Sequence, residues 1–221
     1  MNLSAFPLPP EWTWAAHVLV AVLGFHAARR APWSRLRDNA QSHLFLASCL
    51  TLIFVWGLRP PALGGIEFHL LGATLVTLMF GAELAFLAVA VAAVGLVLTG
   101  RIAVEAYSVN VVLLGAIPIG LSWLVLRFAE RRLPANFFVY IFGPAFLGAA
   151  VAMLASGAAM AGLASLFGNP AAVLMAAEFL PYCFLLSFAE ATLTGMLITL
   201  MVVYRPHWVG TFDDRRYLSG R

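Results

Sequence analysis

The residues of this sequence whose types can do chemistry are titratable side chains lying in or beside long apolar runs. Glu67, Glu83, Glu178 and Glu190 are so placed, as are His17, His26, His43 and His69. Such groups are costly in lipid, and they face a bundle interior or a water-filled cavity. Glu67 and His69 share the stretch Gly64-Gly65-Ile66-Glu67-Phe68-His69-Leu70-Leu71-Gly72, whose glycines let a bent backbone approach a ligand closely. His69 reads either as a ligand for a metal or polar substrate near an outer mouth, or as an interfacial histidine bonded to a neighbouring carbonyl. Glu190 lies deeper, in Phe188-Ala189-Glu190-Ala191-Thr192-Leu193-Thr194-Gly195. It is a candidate substrate-binding carboxylate together with Thr194; the alternative is a structural carboxyl bonded to hydroxyls such as that of Thr194. Asn110 is a further substrate-binding candidate, or a hydrogen bond between helices.

The remaining polar residues read more plainly. Glu83 and Glu178 suit helix-terminal positions. His17 and His26 are nine residues apart, not the four that would put two ligands on one helix face. They read as packing or interfacial residues. Cys49 and Cys183 both lie in apolar runs and read as small buried side chains rather than a disulfide framework. There is no HExxH, P-loop, GxSxG or CxxC. The chain is therefore expected not to be an enzyme and to carry no intrinsic cofactor, and any ATP-driven work must draw on another subunit.

The elements that position these residues follow from composition. Of 221 residues, 62% are hydrophobic and 10% charged, with a mean hydropathy of +0.93. A soluble domain is about 45–50% apolar and about 25% charged. A soluble enzyme, a nucleic-acid binder and a disordered chain are excluded on this ground. In lipid only helices and closed barrels satisfy their backbone, and long unbroken apolar runs favour helices over the alternating strands of a barrel. The fold class is all-α, a polytopic integral membrane protein of about seven transmembrane helices, with residues 1–221 as a single transmembrane domain. The runs are Trp12–Ala28, His43–Leu58, Glu67–Phe80, Glu83–Thr99, Ala106–Leu126, Phe137–Phe167 and Ala171–Tyr204. The third is short and must be thinned over or packed inside. The last two are too long for one straight span each, and Pro181 is expected to break the last into a short helix and the final span. Gly168-Asn169-Pro170 reads as a turn.

The charged residues fix the topology. All thirteen basic residues are arginine. Seven spans put eleven of them on one side, in the 29–42 loop (Arg29, Arg30, Arg35, Arg37), the 127–136 loop (Arg127, Arg131, Arg132) and the tail (Arg205, Arg215, Arg216, Arg221). Only Arg59 and Arg101 fall opposite. The positive-inside rule then sets the N-terminus outside and the C-terminus in the cytoplasm. Trp12, Trp14, Trp33, Trp56 and Trp208 fall near span ends, as an aromatic belt requires. No basic region opens the chain, so no cleavable signal peptide is expected. Gly157/Ala161 and Ala158/Gly162 are small-residue pairs that allow close helix approach, to another span of this chain or to a partner.

Phe68-His69-Leu70-Leu71-Gly72-Ala73, followed by a tight turn into another apolar span, resembles the Gly-His-Leu-Leu-Gly-Gly segment of the cobalt/nickel substrate-capture membrane proteins of energy-coupling-factor transporters (the CbiM/NikM family). Val109-Asn110-Val111-Val112-Leu113-Leu114-Gly115 is similar to that family's Asn-containing segment, and Glu190-Ala191-Thr192-Leu193-Thr194 to its Glu-Gly-x-x-Thr. The three keep the family's order across roughly residues 60–204. Phe137-Phe138-Val139-Tyr140 and, near the end of the chain, Val202–Trp208 and Thr211–Leu218 resemble a divergent bacterial branch of energy-coupling-factor permeases. The resemblance implies a multi-pass protein of the bacterial inner membrane that captures a transition-metal ion or small metal complex, with nickel or cobalt bound as substrate. It implies partnership with a transmembrane coupling subunit and cytoplasmic ATPase subunits, and contact with lipid but not nucleic acid. The implied site is Glu67, His69, Asn110, Glu190 and Thr194, with His69 as metal ligand. One departure matters. The family's chains begin Met-His, and there the terminal amine and that histidine hold the metal; here the start is Met1-Asn2, and an amide suits cobalt and nickel far less well than imidazole. A cation held by His69 with Glu67 or the N-terminal segment stands beside a different small substrate. Outside transport the readings are a scaffold subunit of a membrane complex and a membrane enzyme using Glu190 and His69.

Overall fold

The computed structural model describes residues 9–58, 69–167 and 170–217. In chain order it contains α1 (Pro10–Arg30), α2 (Asn39–Gly57), α3 (Ala73–Phe80), α4 (Ala82–Leu98), α5 (Val104–Arg132), α6 (Phe137–Phe167), α7 (Pro170–Tyr204) and a short α8 (Asp214–Tyr217). Among the described residues there is no strand, and the all-α class holds. Helices α2, α5, α6 and the Pro181–Tyr204 stretch of α7 are long and apolar enough to cross a membrane, and α4 is a shorter apolar helix. Phe25, Phe54, Leu98, Phe142 and Phe184 point outward, which is the arrangement that lipid, rather than water, rewards.

Each apolar segment contributes helix, but three expectations need correction. Among its described residues the third segment is helical only from Ala73, and residues 69–72 are not helical. Gly72 adopts φ +67°, a left-handed turn that halts the helix at its first residue. Eight residues rise only about 12 Å against a hydrocarbon core of about 30 Å. All residues of α3 but Leu75 are buried, so it is an inner rod within the bundle. Second, Pro181 does not divide the seventh segment: α7 is continuous through it over 35 residues. One missing donor in so long a ladder costs less than unpaired backbone in hydrocarbon. Third, Trp56 does not belong to the aromatic belt. It is 1% exposed, whereas Trp12, Trp14 and Trp33 are exposed as a belt requires. The expected turn residues Gly168 and Asn169 lie outside the described residues.

The prolines act elsewhere. Val112–Ala116 and Ile141–Leu147 are π-helical. Pro118 follows the first and Pro144 lies in the second. A proline ring collides with the carbonyl four residues back, and a wider turn relieves that collision.

Packing between helices is close where glycine allows it. A Cβ added at Gly115 would meet Val89 Cγ1 at 2.5 Å, whereas one added at Gly120 meets nothing within 4 Å. Val89 is fully buried and β-branched, so it cannot swing away. Gly115→Ala is therefore expected to destabilise the fold by about 1–3 kcal/mol. Thermal unfolding in detergent reads this as a lowered midpoint that the control Gly120→Ala does not share. Gly157 and Ala161 are buried, so that small-residue pair packs within this chain. Ala158 and Gly162 of the neighbouring pair are exposed.

The three arginine-bearing segments meet at one end of the bundle. Arg35, between α1 and α2, donates to the carbonyls of His207 and Trp208 in the tail, at 3.3 Å each. Arg216 donates to the backbone carbonyl of Glu130 near the end of α5. Tyr140, at the start of α6, shares a 2.6 Å hydrogen bond with Thr211. At the far end Trp12 of α1 packs on Phe167 of α6, ring centroids 5.2 Å apart, and His17 bonds Ser108 of α5 at 2.6 Å. His17 is thus the packing residue expected, and the start of α1 and the chain's tail lie at opposite ends.

Candidate functional site

The site is built on four residues that are not helical. Residues 69–72 run irregularly into α3, and irregular backbone at membrane depth must find its hydrogen bonds from side chains. Glu190 of α7 supplies two. Its Oε2 accepts from the Leu71 N–H at 2.9 Å and its Oε1 from the Gly72 N–H at 2.7 Å. Trp56 of α2 supplies a third: its indole N–H donates to the Leu71 carbonyl at 3.0 Å. Glu190 is 2% exposed, and a carboxylate so buried needs such charge-assisted bonds. It also sits against the first turn of α3, where the helix dipole favours negative charge. Thr194 is buried too, but the hydroxyl partnership considered for Glu190 is replaced by backbone N–H groups.

His69 opens the segment. It is buried and its ring lies beside that of Trp56, centroids 5.9 Å apart. Its Nδ1 is 3.0 Å from the Leu70 carbonyl. A carbonyl only accepts, so this bond puts the proton on Nδ1 and the lone pair on Nε2. That is the tautomer in which a histidine ligates a metal through Nε2 while its other nitrogen is oriented by an acceptor.

The structure thus joins His69 and Glu190 through one segment, with Thr194 on the cleft beside it. Glu190, Thr194, Leu70 and Gly72 line a cleft of about 280 Å³ between α2, α3 and α7, walled mostly by aliphatic side chains, with Ser48 and Thr51 on its α2 side. Asn110 is buried in α5 and its amide donates to the Ala106 carbonyl at 2.9 Å. Glu67 lies outside the described residues. Among the described residues no group of three or more His, Cys, Asp or Glu is placed to hold a metal ion. Trp56 is the site residue that sequence reasoning missed: near a span end, an indole buried for one backbone carbonyl has the same signature as an indole in the headgroup layer.

The chain matches, over residues 2–208, the family described as the cobalt uptake substrate-specific transmembrane region, CbiM. The chain belongs to the CbiM family. No curated protein matches it. CbiM proteins are transport components of the membrane, not enzymes, and with its apolar helices this member is a multi-pass membrane protein. The match spans α1 to α7 and includes His69, Asn110, Glu190 and Thr194. Within this CbiM fold, the carboxylate and the imidazole are joined by the backbone of one four-residue segment rather than by direct contact.

Proposed function

We propose that this CbiM protein is the substrate-capturing membrane subunit of an energy-coupling-factor type transporter, taking up a cobalt- or nickel-class ion or a small complex of one. The observation that carries the reading is the His69–Gly72 segment, shaped by Glu190 and Trp56, with an imidazole whose Nδ1 is already engaged. His69 serves as one metal ligand, and Glu67 or the N-terminal segment completes the set. Glu190 and Thr194 shape the site around it, and Asn110 stands as a further substrate contact. The arginine end faces the cytoplasm, following the positive-inside rule, so the His69 end opens outward. The chain works in the bacterial inner membrane with a transmembrane coupling subunit and cytoplasmic ATPase subunits. Capture of a different small substrate is the second reading, favoured by Asn2 standing where the family carries histidine.

Equilibrium dialysis of the purified protein against Co²⁺ and Ni²⁺ tests the first reading. Stoichiometric retention of either ion supports it, and retention of neither overturns it. Reporter fusions at the two chain ends are expected to appear in opposite compartments, with the C-terminal one cytoplasmic.

A further inference from the structure

Helix α3 is a rod fastened at both ends. At the His69 end the Glu190 carboxylate holds the Leu71 and Gly72 amides. At the arginine end the last carbonyls of α3, which no amide of its own helix can satisfy, are bonded by other segments. The Met79 carbonyl accepts from Arg35 Nη1 at 2.8 Å and from the Gly210 N–H at 2.8 Å. The Leu78 carbonyl accepts from Thr211 Oγ1 at 2.7 Å and from its N–H at 3.3 Å. Arg35 in turn bonds Gln41 Oε1 at 3.0 Å and both tail carbonyls, and Gln41 donates to the His207 carbonyl at 2.9 Å. Burial draws the Arg35 pKa down from the usual guanidinium value, but the group stays charged, as arginine does in proteins. Val209 and Phe212 of the same tail segment, the 206–213 strap, are buried, and the rings of Phe212, Tyr140 and Tyr217 pack as a triangle with centroid distances of 5.0 to 5.1 Å. The strap residues from Val209 onward lie beyond the family match.

Between the fastenings α3 has little freedom of its own. Gly72 and Gly81 bracket it with φ of +67° and +87°, so the backbone can pivot at each end while the buried rod moves as one piece. A packed rod of about 12 Å transmits a shift at one end to the other, because close-packed interiors do not absorb displacement smoothly.

We propose that Arg35 and Thr211 are positioning residues for the His69–Gly72 segment. They anchor α3 from the arginine end, so that lifting the 206–213 strap loosens the segment at the opposite end. That this segment captures substrate rests on the function proposed above; the mechanical link does not.

The test is residue-resolved amide exchange on the full-length protein in detergent. In Thr211→Val the amides of Leu71 and Gly72 are expected to exchange about tenfold faster, while those of mid-α6 keep their rates. Thr211→Ser restores wild-type rates, and Arg35→Gln reproduces the valine effect. A merely local role would speed exchange around residues 78–81 alone, and unchanged protection of Leu71 and Gly72 in folded Thr211→Val overturns the proposal. If Arg35→Gln fails to fold, Thr211→Val, which exchanges one hydroxyl for a methyl group of the same size, still decides it. Cobalt affinity measured on the same variants is expected to fall with the lost protection. A wild-type protein that binds no cobalt sinks the capture reading and leaves the exchange result to judge the positioning role.

Discussion

Glu190→Ala is expected to destabilise the protein by about 3–6 kcal/mol, the largest single-site effect among the residues of the bundle interior. The substitution leaves two buried backbone donors, the Leu71 and Gly72 amides, without acceptors. Each such group costs about 1–3 kcal/mol, and the cavity left by the side chain adds to this. Water cannot refill the site easily, because the cleft beside it is walled largely by aliphatic side chains and a bound water needs polar partners. Glu190→Gln keeps one acceptor oxygen and turns an amide nitrogen toward the other donor, so it is expected to lose roughly half as much. Thermal unfolding in detergent gives the order wild type, Gln, Ala. A Glu190→Ala midpoint equal to wild type would show that the carboxylate does not hold the segment. Cobalt binding is expected to weaken in both variants, since the loop that presents His69 loses its shape.

That carboxylate also shows what a sequence can and cannot disclose. A glutamate at the centre of an apolar run announces that it has a purpose, because the run makes it costly. Its partners are silent. They are backbone amides at positions 71 and 72, more than a hundred residues earlier in the chain, and a backbone amide has no residue type to read. The same holds for Arg35, which the sequence shows as one of several arginines in a loop and the fold uses to bond Met79. Hydrophobic runs and arginine asymmetry, by contrast, are properties of whole segments, and they survive the loss of any single contact. The all-α class and the gathering of the arginine loops at one end were therefore legible. The extent of the third helix was not. It depends on the backbone of a single residue, Gly72, whose left-handed turn shortens an apolar run that looks continuous. Pro181 misled in the opposite direction, since a proline that reads as a break in water is carried within a long helix where lipid leaves no alternative.

The short α3 and the irregular segment before it belong to one design. A full-length span in place of α3 would bury residues 69–72 in its own hydrogen-bond ladder and leave no bent backbone to present a side chain. Ending the helix at Gly72 frees those groups, and Glu190 and Trp56 take up two amides and one carbonyl. The stability of the segment is thereby lent by α2 and α7, and a ligand bound there interacts with helices that are distant in sequence.

In the proposed function His69 is where that arrangement meets a substrate, and its replacement is expected to have the largest effect on binding. His69→Ala is expected to weaken cobalt or nickel binding at least about 100-fold, roughly 2.7 kcal/mol, because an imidazole is a strong ligand for these ions and alanine offers none. Alanine alone leaves an ambiguity, since the ring also packs beside Trp56 and its loss lowers stability by about 1–2 kcal/mol. His69→Phe resolves it. Phenylalanine keeps an aromatic face against Trp56 and has no nitrogen, so its unfolding midpoint is expected to stay near wild type while metal binding falls as far as in the alanine variant. Isothermal titration with Co²⁺ alongside thermal unfolding separates the two quantities. If the phenylalanine variant still binds cobalt with wild-type affinity, Nε2 is not a ligand, and the Nδ1 bond to Leu70 marks a histidine kept for packing alone. If binding is lost with the midpoint unmoved, the imidazole is present for the ion, and the Leu70 carbonyl is what holds it in the ligating tautomer.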